Sequence, residues 1–357
     1  MADRIRIGFI GAGTMGQCAH LRNYAAVDEC DVVALAELRA DTAARVAARY
    51  AIPNVYSDHE EMLAKEELDA VVVSQPFNRH GILVPGLRDR GLPVFTEKPL
   101  SASIEVGRRI CEADAANDGF LMVGYHKRSD PATMRAKAEV EELKASGEIG
   151  AMTYIRITMP PGDWVAGGFD CLIRGDDPPP ELARDAPPGD MDEETRDQYI
   201  AFVNYYIHQV NLLRHFLGED YTVKYADAAG TLLVAESESG VSGVIEMSPY
   251  STSLDWQEEA LICFERGYVK IALPAPLAYN RAGSVTVFKD PADGAAPCTV
   301  CPQLPYVHAM RQQALNFMAA VRGECPPMCD AATALKDLQV AREYISLIKK
   351  GEEMDHA

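Results

Sequence analysis

The sequence predicts an α/β protein in two parts: an N-terminal Rossmann-type, doubly wound parallel sheet, then an α+β region built on a large, open, mostly antiparallel sheet. Three observations predict this. A glycine fingerprint, Gly11-Ala12-Gly13-Thr14-Met15-Gly16, sits where a short apolar run gives way to helical spacing. The first 125 residues alternate short apolar runs with stretches of helical periodicity, the pattern of strands joined by crossover helices. Further on, two-residue alternation takes over, as in half-buried antiparallel strands.

Residues 4–10 read as the first strand and the stretch after Gly16 as a helix, so the glycines occupy a strand-to-helix turn. There Gly11 makes the tight turn, Gly13 lets the backbone approach a pyrophosphate, and Gly16 lets helix and strand pack closely. Thr14 and Met15 complete the loop, with the phosphates on the free N–H groups of the helix. Further strands are predicted at 31–36, 70–74, 94–96 and 120–124, separated by helices at 42–50, 59–65, 82–91 and 104–117. After a helix at 131–145, strands are predicted at 152–159, 231–235, 242–247, 259–264, 268–273 and 285–289. Helices at 201–217, 308–322 and 331–350 are expected to cover one face of that second sheet, leaving the other for substrate or another subunit. Residues 1–125 then form a dinucleotide-binding domain and 126–357 a substrate and oligomerisation domain, with the C-terminal helix free to pack back on the first.

A chain of 357 residues is long enough for two domains, and 48% apolar with 24% charged residues marks a soluble globular protein instead of a disordered one. No apolar run reaches the length of a membrane span and no signal peptide precedes the first strand, so a cytoplasmic location is expected. The net charge of −19 repels nucleic acid and anionic membranes. Nine cysteines spread from Cys18 to Cys329 form no disulfide framework and suit a reducing compartment. Cys298 with Cys301, and Cys325 with Cys329, have spacing that zinc tolerates, but the long helix predicted between the pairs favours unpaired thiols, and no metal is expected.

The strand at 31–36 ends in Glu37, about twenty residues past the last glycine, where a carboxylate accepts hydrogen bonds from an adenosine ribose. This favours NAD over NADP, although Arg39 lies two residues on and offsets part of the repulsion toward a 2′-phosphate. Ser74, Gln75, Pro76, Asn78 and His80 follow the strand at 70–74, where ligands of an open parallel sheet collect, and are expected to line the nicotinamide ribose. Glu97-Lys98-Pro99 follows the next strand, and a lysine there binds a substrate oxygen and stabilises charge as a hydroxyl loses its proton.

These residues resemble the Gfo/Idh/MocA oxidoreductases, a family that includes glucose–fructose oxidoreductase and inositol 2-dehydrogenase. The resemblance rests on the glycine fingerprint, on Pro76 and His80, on Glu97-Lys98-Pro99, on Gly124-Tyr125-His126-Lys127-Arg128-Ser129-Asp130-Pro131, and on the helix containing His208. It implies that Lys98 contacts substrate and that His208 acts as acid or base, with Lys98 the alternative base. Asn204, His208 and Asn211, spaced four and three apart, are expected on one helix face; many relatives carry aspartate where Asn204 stands. His126, Lys127, Arg128 and Asp130 offer hydroxyl-binding groups, and Trp164 and Tyr206 offer faces for a sugar ring, with Asp163 and Asp170 weaker candidates.

The resemblance implies an NAD-dependent dehydrogenase of a secondary hydroxyl on a sugar, glycoside or cyclitol, working as a homodimer or homotetramer. Two alternatives stay open: redox-assisted glycoside cleavage with retained NAD, and a non-catalytic NAD- and sugar-binding regulator. The segment at 160–197, rich in Pro, Gly, Asp and Glu, is too long for a plain connection. It is expected to govern substrate choice more than NAD affinity.

Overall fold

In the computed structural model, which describes residues 4–178 and 180–355, the first apolar run becomes β1 (Ile5–Ile10), buried throughout except at Arg6. It pairs in parallel with β2 (Cys30–Ala36) on one side and β4 (Ala70–Val73) on the other. β3 (Asn54–Tyr56), β5 (Val94–Glu97) and β6 (Leu121–Gly124) complete a parallel sheet of order β3-β2-β1-β4-β5-β6. The order reverses at β1, which leaves a crevice outside the carboxyl ends of β1 and β4.

Helix boundaries in this unit follow local chemistry. Asp58 accepts from the Glu60 N–H at the start of helix His59–Lys65, and Ser103 from the Val106 N–H at the start of helix Ile104–Ala115. The chain's two compact units are not consecutive in sequence. Met1–Tyr125, Gly167–Met191 and Met310–Leu338 form one; His126–Ala166, Asp192–Ala309 and Gln339–Ala357 form the other. Helix Ala309–Val321, expected on the second sheet, contributes Ala314, Phe317 and Met318 to the core around Ile5, Phe9, Tyr24 and Phe95. The Phe317 ring meets Tyr24, Phe95 and Phe120 edge-on. Its spacing marked an apolar face; the partner of that face is a tertiary matter.

The second unit contains β7 (Met152–Thr158), β8 (Tyr221–Ala226), β9 (Leu232–Ser237), β10 (Ser242–Glu246), β11 (Glu258–Phe264), β12 (Gly267–Leu273), β13 (Ser284–Lys289) and β14 (Cys298–Val300), in the order β14-β13-β12-β11-β7-β10-β9-β8. Among the described residues every pairing in it except β7 with β10 is antiparallel. Ile155, Ile157, Ile245, Ala260, Ile262, Val269 and Ile271 are buried on one face, against helices Pro131–Ser146 and Ile207–Leu217. The other face presents Tyr154, Arg156, Thr158, Leu261 and Cys263, all half-buried.

The helix expected at 201–217 is two helices, Glu193–Tyr205 and Ile207–Leu217, which meet at Tyr206, with a φ of −98° and a ψ of −1°. The Tyr206 hydroxyl donates to the Met247 carbonyl at 2.8 Å, which holds the junction in place. Apolar periodicity runs straight through it, with no Pro or Gly to mark it.

Candidate active site

In the first unit the fingerprint forms the turn that the sequence requires. Gly11 has a φ of +91°, and a Cβ there would lie 2.2 Å from the Gln75 side chain and 2.6 Å from the Ser74 carbonyl. A Cβ on Gly16 would lie 2.4 Å from the Gly11 carbonyl, so strand and helix touch at both glycines. A Cβ on Gly13 would meet nothing within 4 Å: its backbone faces open space. Thr14, Met15 and Gly16 open the first helix, whose segment Gly16–Leu21 is π-helical.

Beside this turn lies a cavity of 240 Å³ lined by Gly11, Gly13, Glu37, Leu38, Arg39, Ser74, Gln75, Pro76 and Arg79, among others. Glu37 is buried in its wall. Its carboxylate accepts from the Ala12 N–H at 2.8 Å, the Arg39 N–H at 3.0 Å, and Arg39 Nε and Nη2 at 2.9 Å each. Burial pushes this carboxyl up, but the Arg39 and Ala12 hydrogen bonds outweigh it and hold it below the usual range. A carboxylate offers about four acceptor sites, and these four donors fill them. Arg39 therefore stands where the hydroxyls of a ribose would bond.

Glu97 and Lys98 close β5 at the same edge of the sheet, ahead of a cis Lys98–Pro99 peptide. The Glu97 carboxylate meets His20 Nε2 at 2.5 Å and accepts from the Lys98 N–H at 3.0 Å. Burial raises the Glu97 carboxyl, yet the His20 hydrogen bond, its charge and the Lys98 ammonium outweigh that and keep it ionised. His20, on the first helix, escaped the sequence reading: a lone histidine on a buried helix face reads as core, and nothing in sequence ties it to a residue 77 positions away. His80, expected at the cofactor, is fully buried and instead braces the strand ends: Nδ1 meets the Leu100 carbonyl at 3.1 Å, and Nε2 meets Thr96 Oγ1 at 3.1 Å and the Gln75 carbonyl at 3.3 Å. Burial holds its pKa below the ordinary value, so the ring is neutral. Asn78 is half-buried beside it, and its carbonyl accepts from the Asp185 N–H.

In the second unit, His208 and His126 are 9% and 5% exposed and pack edge-to-face with ring centroids 4.4 Å apart. Asn211, one turn on from His208, accepts from Arg128 Nε at 2.6 Å. Asn204 does not share their helix and is exposed, because the helices divide at Tyr206. Lys127 is committed to a buried ion pair with Glu258, a residue the sequence reading did not single out. Gln209 donates to Glu258 at 2.7 Å and the Trp256 indole N–H at 3.2 Å, while Lys127 lies 5.5 Å from the Trp256 ring centroid. Trp256 rather than Trp164 is thus the tryptophan of the polar cluster; Trp164 is half-buried, its carbonyl accepting from the Leu277 N–H. Asp130 caps helix Pro131–Ser146 and accepts from the Gly283 N–H, and burial pushes its carboxyl up to about 6. Asp163 folds back on the N–H groups of Val165 and Ala166, and Asp170 pairs with Arg22 in the first unit. Among the described residues no cysteine is disulfide-bonded, and no three His, Cys, Asp or Glu side chains converge as a metal group.

Residues 5–125 match the family model described as oxidoreductase family, NAD-binding Rossmann fold. Over these residues the chain is similar to the Gfo/Idh/MocA oxidoreductases. The chain is 28% identical over 242 residues to myo-inositol 2-dehydrogenase of Thermotoga maritima, covering 68% of the chain and 63% of that relative. It thus spans less than two thirds of the curated relative's length. It is 22% identical over 356 residues to the rhizopine catabolism protein MocA of Rhizobium meliloti, covering 97% and 96% of the two chains. In fold it is similar to a levoglucosan dehydrogenase solved with NADH and levoglucosan, with a TM-score of 0.72, 20% identity and 98% of each chain covered.

The residues of the first unit fit the dinucleotide of an NAD-binding oxidoreductase. Gly13 offers the open cradle, the first helix offers free N–H groups, and Glu37 faces the cavity that β2 walls. The Arg39 contact sharpens the expectation for cofactor choice. Glu37→Ala should weaken NADH binding about tenfold and, by freeing Arg39 for a 2′-phosphate, raise NADPH affinity relative to NADH. Arg39→Ala should move the ratio the other way. Fluorescence titration with both cofactors measures it, and equal ratios in all three proteins would show that neither side chain meets the ribose.

Proposed function

We propose that this chain is an NAD-dependent dehydrogenase acting on a secondary hydroxyl of a sugar, glycoside or cyclitol. The observation that carries the reading is the Glu97–Lys98 pair at the carboxyl end of β5, with Glu97 clamped by His20 beside the NAD-binding turn. The inositol dehydrogenase relative and the levoglucosan dehydrogenase of the same fold support the substrate class. NAD, when bound, supplies the hydride acceptor. In this reading Lys98 donates a hydrogen bond to the substrate oxygen and steadies its negative charge as the proton leaves. The ionised Glu97 fixes the backbone of Lys98 by accepting from its N–H. His208 takes the hydroxyl proton, with its ring oriented by the edge-to-face contact with His126. Arg128, oriented by Asn211, binds a further hydroxyl in this reading. The half-buried open face of the second sheet supports a homo-oligomer.

The test is NADH formation at 340 nm with a panel of sugars, inositols and glycosides, with mass analysis of each mixture. NADH together with a product two mass units lighter is the expected result. Cleaved glycoside without NADH would replace this reading with redox-assisted cleavage on a retained cofactor, and no change with any substrate class would count against both.

A further inference from the structure

Residues 167–191, the greater part of the insert at 160–197, belong to the first unit and are tied to its first helix and to the starts of two others. At the first helix, the Gln17 side-chain amide holds both main-chain groups of Ile173, at 2.8 and 3.0 Å, and Asp170 pairs with Arg22 at 2.9 Å. At helix Ala40–Tyr50, the Asp177 carboxylate accepts from the Asp41 and Thr42 N–H groups, at 3.1 and 2.8 Å, and from the Thr42 hydroxyl at 3.1 Å. At helix His80–Arg88, the Asp185 carboxylate, 2% exposed, accepts from the Gly81 N–H at 2.9 Å, and Arg79 donates to the Ala183 carbonyl at 3.0 Å. These helices follow β1, β2 and β4, so their starts lie along the carboxyl edge of the sheet.

Two acidic side chains therefore occupy the N-termini of the second and third of these helices, where free N–H groups favour negative charge. The first helix keeps its open start at Gly13. Between Asp177 and Asp185, Pro180 and Leu182 line the 240 Å³ cavity together with Gly11, Gly13, Glu37 and Leu38. A glycine floor for phosphate, a wall made by Glu37 and its partner Arg39, and an apolar cover describe a site for the adenosine half of a dinucleotide.

We propose that residues 167–191 are a latch over the adenosine half of the cofactor, with Pro180 and Leu182 contacting the adenine, and that the cofactor leaves only when the latch lifts from its helix starts. The latch ties the insert to NAD affinity, where the sequence alone pointed to substrate choice. The proposal rests on the NAD-binding fold and not on the substrate reading, so the two fail independently.

The experiment is NADH dissociation from the full-length protein, followed by fluorescence after mixing with excess NAD. Asp177→Ala/Asp185→Ala should release NADH at least tenfold faster than the parent. Leu182→Ala should weaken NADH and ADP-ribose by the same factor, since both carry adenosine. Bound NADH should also protect Arg174 and Arg184, both exposed, from trypsin. An unchanged release rate in a double variant that keeps the parent's melting temperature overturns the latch. Should the double variant fail to fold, an unchanged affinity in Leu182→Ala overturns it alone.

Discussion

Lys98→Ala is expected to lower kcat/KM about 10³-fold while NADH affinity stays within about threefold of the parent. The reason lies in how the residue is held. Glu97 is half-buried, ionised and bonded on one side to His20 and on the other to the Lys98 N–H, so the backbone that carries Lys98 has little freedom. A cation fixed in advance loses no reorganisation energy when charge develops on a substrate oxygen. Lys98→Arg keeps the charge but replaces a compact ammonium with a planar fork, and should recover only a small part of the loss. His20→Ala would leave the Glu97 carboxyl half-buried without its main partner and should lower kcat more than it raises KM. Steady-state kinetics beside NADH titration checks all three variants. Turnover by Lys98→Ala within tenfold of the parent would remove Lys98 from the chemistry.

The second large effect is on stability. Lys127→Met is expected to destabilise the protein by about 3–5 kcal/mol, because it strands the Glu258 charge in the interior. The two side chains are 4% and 0% exposed, and the donors left to Glu258, from Gln209 and Trp256, are neutral. Lys127→Met/Glu258→Gln, which removes both charges, should recover most of the loss, since an uncharged buried pair avoids the desolvation penalty. Urea unfolding followed by tryptophan fluorescence reports on this site directly, as Trp256 contacts both partners. A loss below about 1 kcal/mol would mean that water reaches Glu258 and that Lys127 is available to a ligand.

Much of the nucleotide-binding unit was legible because its signals are local. The Gly11 turn, the boundaries of helix His59–Lys65 with its Asp58 cap, and the apolar runs of β1 and β4 each follow from residues within a few positions of one another. β3, β8 and β14 were missed for the converse reason. β3 and β14 are three residues each, and β8 is mostly half-buried or exposed, so none carries a clear alternation. Residue types at the site were legible, but their partners were not. Lys127 and Arg128 read alike as hydroxyl-binding cations, yet one is committed to Glu258, 131 residues on, and the other to Asn211. Likewise, Asn204, His208 and Asn211 share a face only if the helix is continuous, and it divides at Tyr206, whose hydroxyl donates to Met247, 41 residues on.

By itself, then, the sequence determined the dinucleotide turn, the acidic end of β2, the lysine that closes β5 and the change from parallel to antiparallel patterning. Backbone conformation and side-chain periodicity are set by neighbours along the chain, and these features need nothing else. Only the tertiary structure decided that Arg39 fills the Glu37 carboxylate, that His20 holds Glu97, that helix Ala309–Val321 belongs to the nucleotide-binding core and that residues 167–191 belong to that unit as well. Each depends on which of many chemically suitable partners a buried polar or apolar group meets. That choice is made by the requirement that the whole interior pack densely with its hydrogen bonds satisfied, a condition that no short stretch of sequence expresses.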